Sequence, residues 1–216
     1  DSSTIDALLD FEKNYFGRAF AMMGLHPCSV KENVDQELDI VKHWLSQRKF
    51  AAIGEIGLDF YWDVTFKEQQ IAAFSAQIDL ALQYDLPIVI HSRNSTCECI
   101  DIVRSKQHGT LKGVFHCFSG TIAEAEDIID MGFYLGIGGV VTFKKSMLPE
   151  VLEDIDLSHL LLETDSPYLA PVPYRGKRNE SSYIPLIAEK IAEIRSVEVA
   201  EVADITTKNA NRLFQF

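Results

Sequence analysis

Short apolar, β-branched segments alternate with longer stretches of helical period almost to the end of this chain, and that alternation narrows the fold to an α/β class with parallel strands. Strands are expected at Arg18–Met23, Ala51–Glu55, Pro87–His91, Gly113–His116, Tyr134–Ile137 and Leu160–Glu163. Several are apolar at nearly every position, as strands buried on both faces of a parallel sheet are. Amphipathic helices are expected at Val34–Arg48, Phe66–Tyr84, Ser95–Gln107, Ile122–Met131 and Lys145–Leu152. Two more, Ile184–Arg195 and Val199–Leu213, close the chain, and Thr4–Tyr15 precedes the first strand. Thr121 followed by Glu124 is a capping-box pattern. No Ser/Gly-rich linker interrupts the sequence, so a single domain over residues 1–216 is expected.

Right-handed βα crossovers admit either an open doubly wound sheet or a closed barrel. No Gly-x-Gly-x-x-Gly turn opens a helix after the first strand, and Gly136-Ile137-Gly138-Gly139 is too irregular to serve as a dinucleotide loop. The placement of polar residues favours a TIM-type (βα) barrel. Glu55, His91, His116 and Asp165 each follow an apolar strand segment. In a parallel barrel such strand ends converge on one face, where active sites are found.

Taken singly, each of these four has an ordinary structural role, since a histidine at a strand end is commonly a buried or capping group. Together they form a mixed nitrogen and oxygen donor set. It suits zinc, manganese or iron, and magnesium if water completes the sphere. His26 and Arg93 fall on the same face. His26 also fits a turn before Pro27, and Arg93 an ion pair on a helix surface. The functional reading gives Arg93 a phosphate to clamp with its planar guanidinium.

With 216 residues and 47% hydrophobic content the chain can bury a substantial core. No apolar run approaches the roughly 20 residues of a membrane span, and Asp1-Ser2-Ser3-Thr4 lacks the parts of a signal peptide. A cytoplasmic protein without a membrane partner is expected. Cys28, Cys97, Cys99 and Cys117 fit neither a disulfide framework nor a paired zinc motif, which points to reduced thiols. The net charge of −12 argues against a DNA-binding module built on a basic surface. It weighs less against a nuclease, because bound divalent cations supply positive charge to a phosphodiester.

Five blocks carry a resemblance: Gly54-Glu55-Ile56-Gly57-Leu58-Asp59-Phe60, His91-Ser92-Arg93, His116-Cys117-Phe118-Ser119-Gly120, Glu163-Thr164-Asp165-Ser166-Pro167-Tyr168 and Arg178-Asn179-Glu180. In order and spacing they resemble the TatD-type deoxyribonucleases of the metal-dependent hydrolase superfamily, from about Gly24 to Phe214. The resemblance implies hydrolysis of phosphodiester bonds in DNA with two divalent ions, magnesium, manganese or zinc. Glu55 would bridge the ions, His91 and His116 would hold one, and Asp165 would bind the other and orient or deprotonate the attacking water. Arg93, His26, Asn179 and Glu180 would face the substrate, with Glu163 behind the ligands.

The family usually opens with a strand ending in His-x-His, and this chain contains no such pair. Against the ~250 residues typical of a full barrel, the first one or two strands are expected to be missing. One ion would then be held less well, and exposed sheet edges would favour self-association. Asn94, Cys28 and Ser181 also depart from the family's pattern and bear on substrate preference. The competing readings are a related barrel hydrolase acting on an ester, lactone or amide, and an inactive scaffold.

Overall fold

The computed structural model describes residues 1–215, which form two compact units, one from Asp1 to Gly113 and a second beginning at Val114. The first contains α1 (Ile5–Asn14), α2 (Val34–Gln47), β1 (Ile53–Asp59), α3 (Lys67–Tyr84), β2 (Ile88–Arg93) and α4 (Thr96–Lys106). β1 and β2 pair in parallel. Ile53, Ile56, Leu58, Ile88 and Ile90 of these strands are fully buried, as are Phe74 and Ile78 of α3. Burial on both faces leaves no polar alternation at the start of β2, which is why Ile88-Val89-Ile90 reads as an apolar run.

Two buried glutamines of α3, one heptad apart, tie this unit together. Gln77 accepts from Leu25 N–H at 2.7 Å and donates to Leu25 O at 3.2 Å. Gln70 accepts from Asp59 N–H at 2.9 Å and donates to Asp59 O at 3.3 Å. Each amide pairs main-chain groups that burial would otherwise leave without water.

The second unit contains all of β3 (Gly113–Phe115) but its first residue, then α5 (Ile122–Asp130), β4 (Tyr134–Ile137), α6 (Leu148–Asp154), β5 (Leu160–Leu162), α7 (Ile184–Arg195) and α8 (Val199–Phe214). β3 pairs in parallel with β4, and β4 with β5. Phe115, Phe133, Ile128, Leu135 and Ile137 form its core. The capping box at α5 is present, with Thr121 accepting from Glu124 N–H and Glu124 from Thr121 N–H. Asn209 of α8 donates to both Leu157 O and Leu160 O at 2.9 Å, tying the last helix to β5.

Four elements differ from the sequence reading by more than a residue. Arg18–Met23 is not a full strand: it meets β1 through the single bridge Met23 to Ile53, with flanking bonds such as Ala51 N–H to Ala21 O at 2.9 Å. Arg18 and Phe20 are exposed, so only the end of the segment is drawn into the core. The expected helix at Lys145 begins instead at Leu148, because Pro149 lacks an N–H and fits only the first turn. Glu55 and His91 do not terminate their strands. β1 runs on to Asp59 and β2 to Arg93, since Ile56, Gly57 and Leu58 continue the buried ladder opposite Ile90, His91 and Ser92.

Among the described residues, no helix is long and apolar enough to cross a membrane.

Candidate active site

The pairing of β1 with β2 slips by one residue between Ile53 and Ile56, where Ile53 faces Ile88 and Ile56 already faces Ile90. A bulge of this kind adds a residue to one strand and re-aims side chains beside it. Here the extra residue falls at Gly54-Glu55. Glu55 is the one position of β1 that is not fully buried.

His91 lies between two carboxylates. Its Nε2 is 2.9 Å from Asp59 Oδ2, and its Nδ1 is 2.9 Å from Glu55 Oε1. Asp59 is 1% exposed and its Oδ1 accepts from Tyr61 N–H at 3.0 Å and Trp62 N–H at 3.1 Å. Burial pushes this carboxyl up, but the bond to His91 and the two main-chain donors outweigh it and hold it below the usual aspartate range. An ionised Asp59 only accepts, so His91 donates through Nε2–H. A neutral ring then turns its Nδ1 lone pair toward Glu55 Oε1. Two lone pairs at 2.9 Å repel, and an imidazolium ring, a protonated Glu55 or a cation drawn to both atoms relieves that repulsion.

That spacing suits a shared cation, since bonds of about 2.0–2.2 Å place two ligands of one ion about 3 Å apart. Asp59 then plays the part that a carboxylate behind a ligating histidine commonly plays, setting the tautomer and the ring's direction.

His26 stands against the same pair, its Nε2 3.7 Å from Glu55 Oε1 and its ring edge-on to His91 at 4.6 Å. Its Nδ1 accepts from Cys28 N–H at 3.1 Å, so the neutral ring carries its proton on Nε2. Facing the carboxylate as a donor, His26 is equipped to hydrogen-bond a substrate oxygen. The Cys28 thiol is pushed up to about 11, by burial first and then by Asp59, and remains protonated at neutral pH.

In the second unit, His116 Nδ1 lies 3.2 Å from Glu163 Oε1 and is hydrogen-bonded to Glu163 Oε2 at 3.3 Å, while Oε1 accepts from Cys117 N–H at 2.7 Å. Glu163 thereby orients the ring with Nε2 directed away from it. Gly136 makes this possible, because a Cβ there would sit 2.5 Å from Glu163 Oε2 and 3.1 Å from His116 Cα. His116, Cys117 and Glu163 bring possible ligand atoms within 4.8 Å of one another, and so do His26, Glu55 and His91. These nitrogen, oxygen and sulfur donors fit a borderline divalent cation.

Asp165 is not in that cluster. It follows β5 in a left-handed backbone conformation with φ 53° and is half-buried.

Arg93 is exposed at the end of β2, its guanidinium stacked 3.9 Å from the centroid of Tyr61 and 5.2 Å from that of Trp62. Asn179 was expected to face substrate, but its side chain is fully buried and donates to Thr164 O at 2.5 Å and Tyr168 O at 2.6 Å. It reaches a substrate only through the loop it shapes. Glu180 is exposed next to it. Asp59 and Gln70 went unassigned in the sequence. The two-residue period from Glu55 through Gly57 to Asp59 was the available signal, since it places both carboxylates on one face.

Asp59→Asn tests the clamp. Its amide would present N–H to His91 Nε2, driving the proton to Nδ1, the atom a cation needs. Divalent-metal affinity measured by competition with a chelating dye is expected to fall about 10–100-fold, with the fold retained.

The TatD related DNase family model matches residues 1–215. An uncharacterized metal-dependent hydrolase of Bacillus subtilis, YabD, is 40% identical over 216 residues, covering 100% of this chain and 84% of that protein. The Escherichia coli uncharacterized metal-dependent hydrolase YcfH is 34% identical over 192 residues, 88% of this chain and 72% of its own length. Among solved structures, YJJV, a TatD homologue from Escherichia coli, superposes with a TM-score of 0.93 at 29% identity, covering 99% of this chain and 83% of that one. The chain therefore belongs to the TatD related DNase family and is a metal-dependent hydrolase with that family's α/β fold.

Proposed function

We propose that this hydrolase cleaves phosphodiester bonds in DNA, with Glu55, His91, His116 and Asp165 as its metal ligands. The observation that carries the reading is the pairing of a donor-ready His91–Glu55 couple with Arg93 on the same strand pair. Held against Tyr61 by stacking, the guanidinium keeps its N–H edges free for a phosphate oxygen. A small neutral ester or lactone has no charge for such a group to meet.

Divalent cations bound at these donors would supply Lewis acidity, lowering the pKa of an attacking water and neutralising charge on the phosphoryl oxygens. The remaining work belongs to side chains. Asp59 keeps the His91 proton on Nε2, His26 donates from Nε2 to a substrate oxygen, and Asp165 accepts the water's proton at its carboxylate. The family's description as DNases supports the choice of substrate.

Incubation of the protein with labelled single-stranded DNA and magnesium or manganese checks this directly. Shortened products are expected, and a chelator is expected to abolish them. Metal-loaded, folded protein that leaves the DNA intact yet hydrolyses a lactone or p-nitrophenyl ester would overturn the nucleic-acid reading.

A further inference from the structure

The chain carries net charge −12, yet two loops of the second unit are purely cationic. Residues 143–149 contain Lys144 and Lys145, and residues 166–179 contain Arg175, Lys177 and Arg178; neither stretch has an aspartate or glutamate. All five cations are exposed.

The structure packs these loops against each other. Val172 N–H donates to Thr142 Oγ1 at 2.9 Å. Gly139 lies so close that a Cβ there would be 2.2 Å from Leu169 O. The Arg175 guanidinium sits 3.7 Å from the centroid of Phe143, and Lys177 Nζ 5.9 Å from that of Tyr174, whose ring stacks on Tyr183 at 4.3 Å. Aromatic faces rather than carboxylates hold Arg175 and Lys177, so neither charge is cancelled by an ion pair. Beside them Tyr168 is 68% exposed, on a loop pinned by the buried Asn179 amide through Tyr168 O.

Like charges on neighbouring residues of two packed loops repel where they fall within a Debye length. A polyanion relieves that repulsion, and an exposed ring on a fixed loop offers a base a stacking surface. We propose that this cationic and aromatic face binds the backbone of single-stranded nucleic acid, with Tyr168 as the platform for one base. It deepens the proposed function and rests on it for the identity of the polymer, but it concerns binding and can fail separately.

The test uses fluorescence anisotropy of labelled (dT)15 with the full chain in a chelator, from 50 to 300 mM salt. Each cation removed is expected to lower the slope of log K against log salt by about 0.7, so the Lys144→Gln/Lys145→Gln/Arg175→Gln/Lys177→Gln variant loses about 3. Tyr168→Ala is expected to weaken (dT)15 about tenfold and to leave an abasic oligomer of equal length unchanged. In the presence of metal, the quadruple variant is expected to raise KM for DNA while hydrolysing bis(p-nitrophenyl) phosphate as before.

An unchanged salt slope in the quadruple variant overturns the surface, even where DNA is still cleaved. Equal binding of inorganic polyphosphate, with Tyr168→Ala silent, overturns its assignment to nucleic acid. Wild-type protein that shows these slopes but never cleaves DNA overturns the proposed function and leaves the surface standing.

Discussion

Replacing Asp165 by Asn is expected to slow phosphodiester hydrolysis by about 10²–10⁴-fold, the range for losing a positioned proton acceptor, while thermal unfolding stays where it was. Asp165 occupies a left-handed conformation with φ 53°. Asparagine tolerates that region nearly as well as aspartate, so the substitution removes the charge and keeps the backbone. Alanine would confound the result by adding a backbone cost of about 1–2 kcal/mol. The measurement is kcat/KM on single-stranded DNA at saturating metal, with metal content determined on the same preparation. A rate within threefold of the parent protein would remove Asp165 from proton transfer and leave its place at the end of β5 a matter of loop geometry.

Gly57→Ala is expected to be the most damaging single methyl in the first unit. Gly57 faces His91 across the β1–β2 ladder, with φ 139°. A Cβ there would lie 2.0 Å from His91 O and 3.0 Å from His91 N. Both are main-chain atoms of a paired strand, so relief requires the strands to part. Overpacking costs about 1–3 kcal/mol and a glycine-only backbone region about as much again, for a loss of about 4 kcal/mol. For a chain of this size that lowers Tm by about 8–15 °C. Metal affinity should fall as well, because His91 is the residue displaced. Calorimetry and metal titration of one preparation check both outcomes. A stable variant with weakened metal binding would show that the ladder yields locally at the bulge.

How far the sequence was readable follows from how local each signal is. The helices were legible to within a few residues because each carries its own apolar stripe. The Thr121/Glu124 box was legible because its two bonds close within one turn. The start of α6 was misplaced by three residues because Lys144 and Lys145 have high helix propensity while Pro149 constrains the start. Arg18–Met23 has a strand's composition, but a strand exists only through its neighbour, and the segment meets β1 in one bridge. Asp59 was overlooked for the same reason. Its importance lies in the contact with His91, 32 residues further along the chain; the Glu55–Gly57–Asp59 period marks the shared face but not that contact.

By itself the sequence determined the class of fold and offered Glu55, His91 and His116 as candidate donors for a divalent cation. Hydrophobic periodicity and side-chain chemistry are properties of neighbouring residues and survive in one dimension. Only the tertiary structure decided how those groups are used. It placed Asp59 behind His91, set the His26 proton on Nε2, turned Glu163 onto His116 and buried Asn179 inside its loop. Tautomer, burial and ligand spacing depend on atoms brought together across strands and loops, so they arise only once the backbone has closed around them.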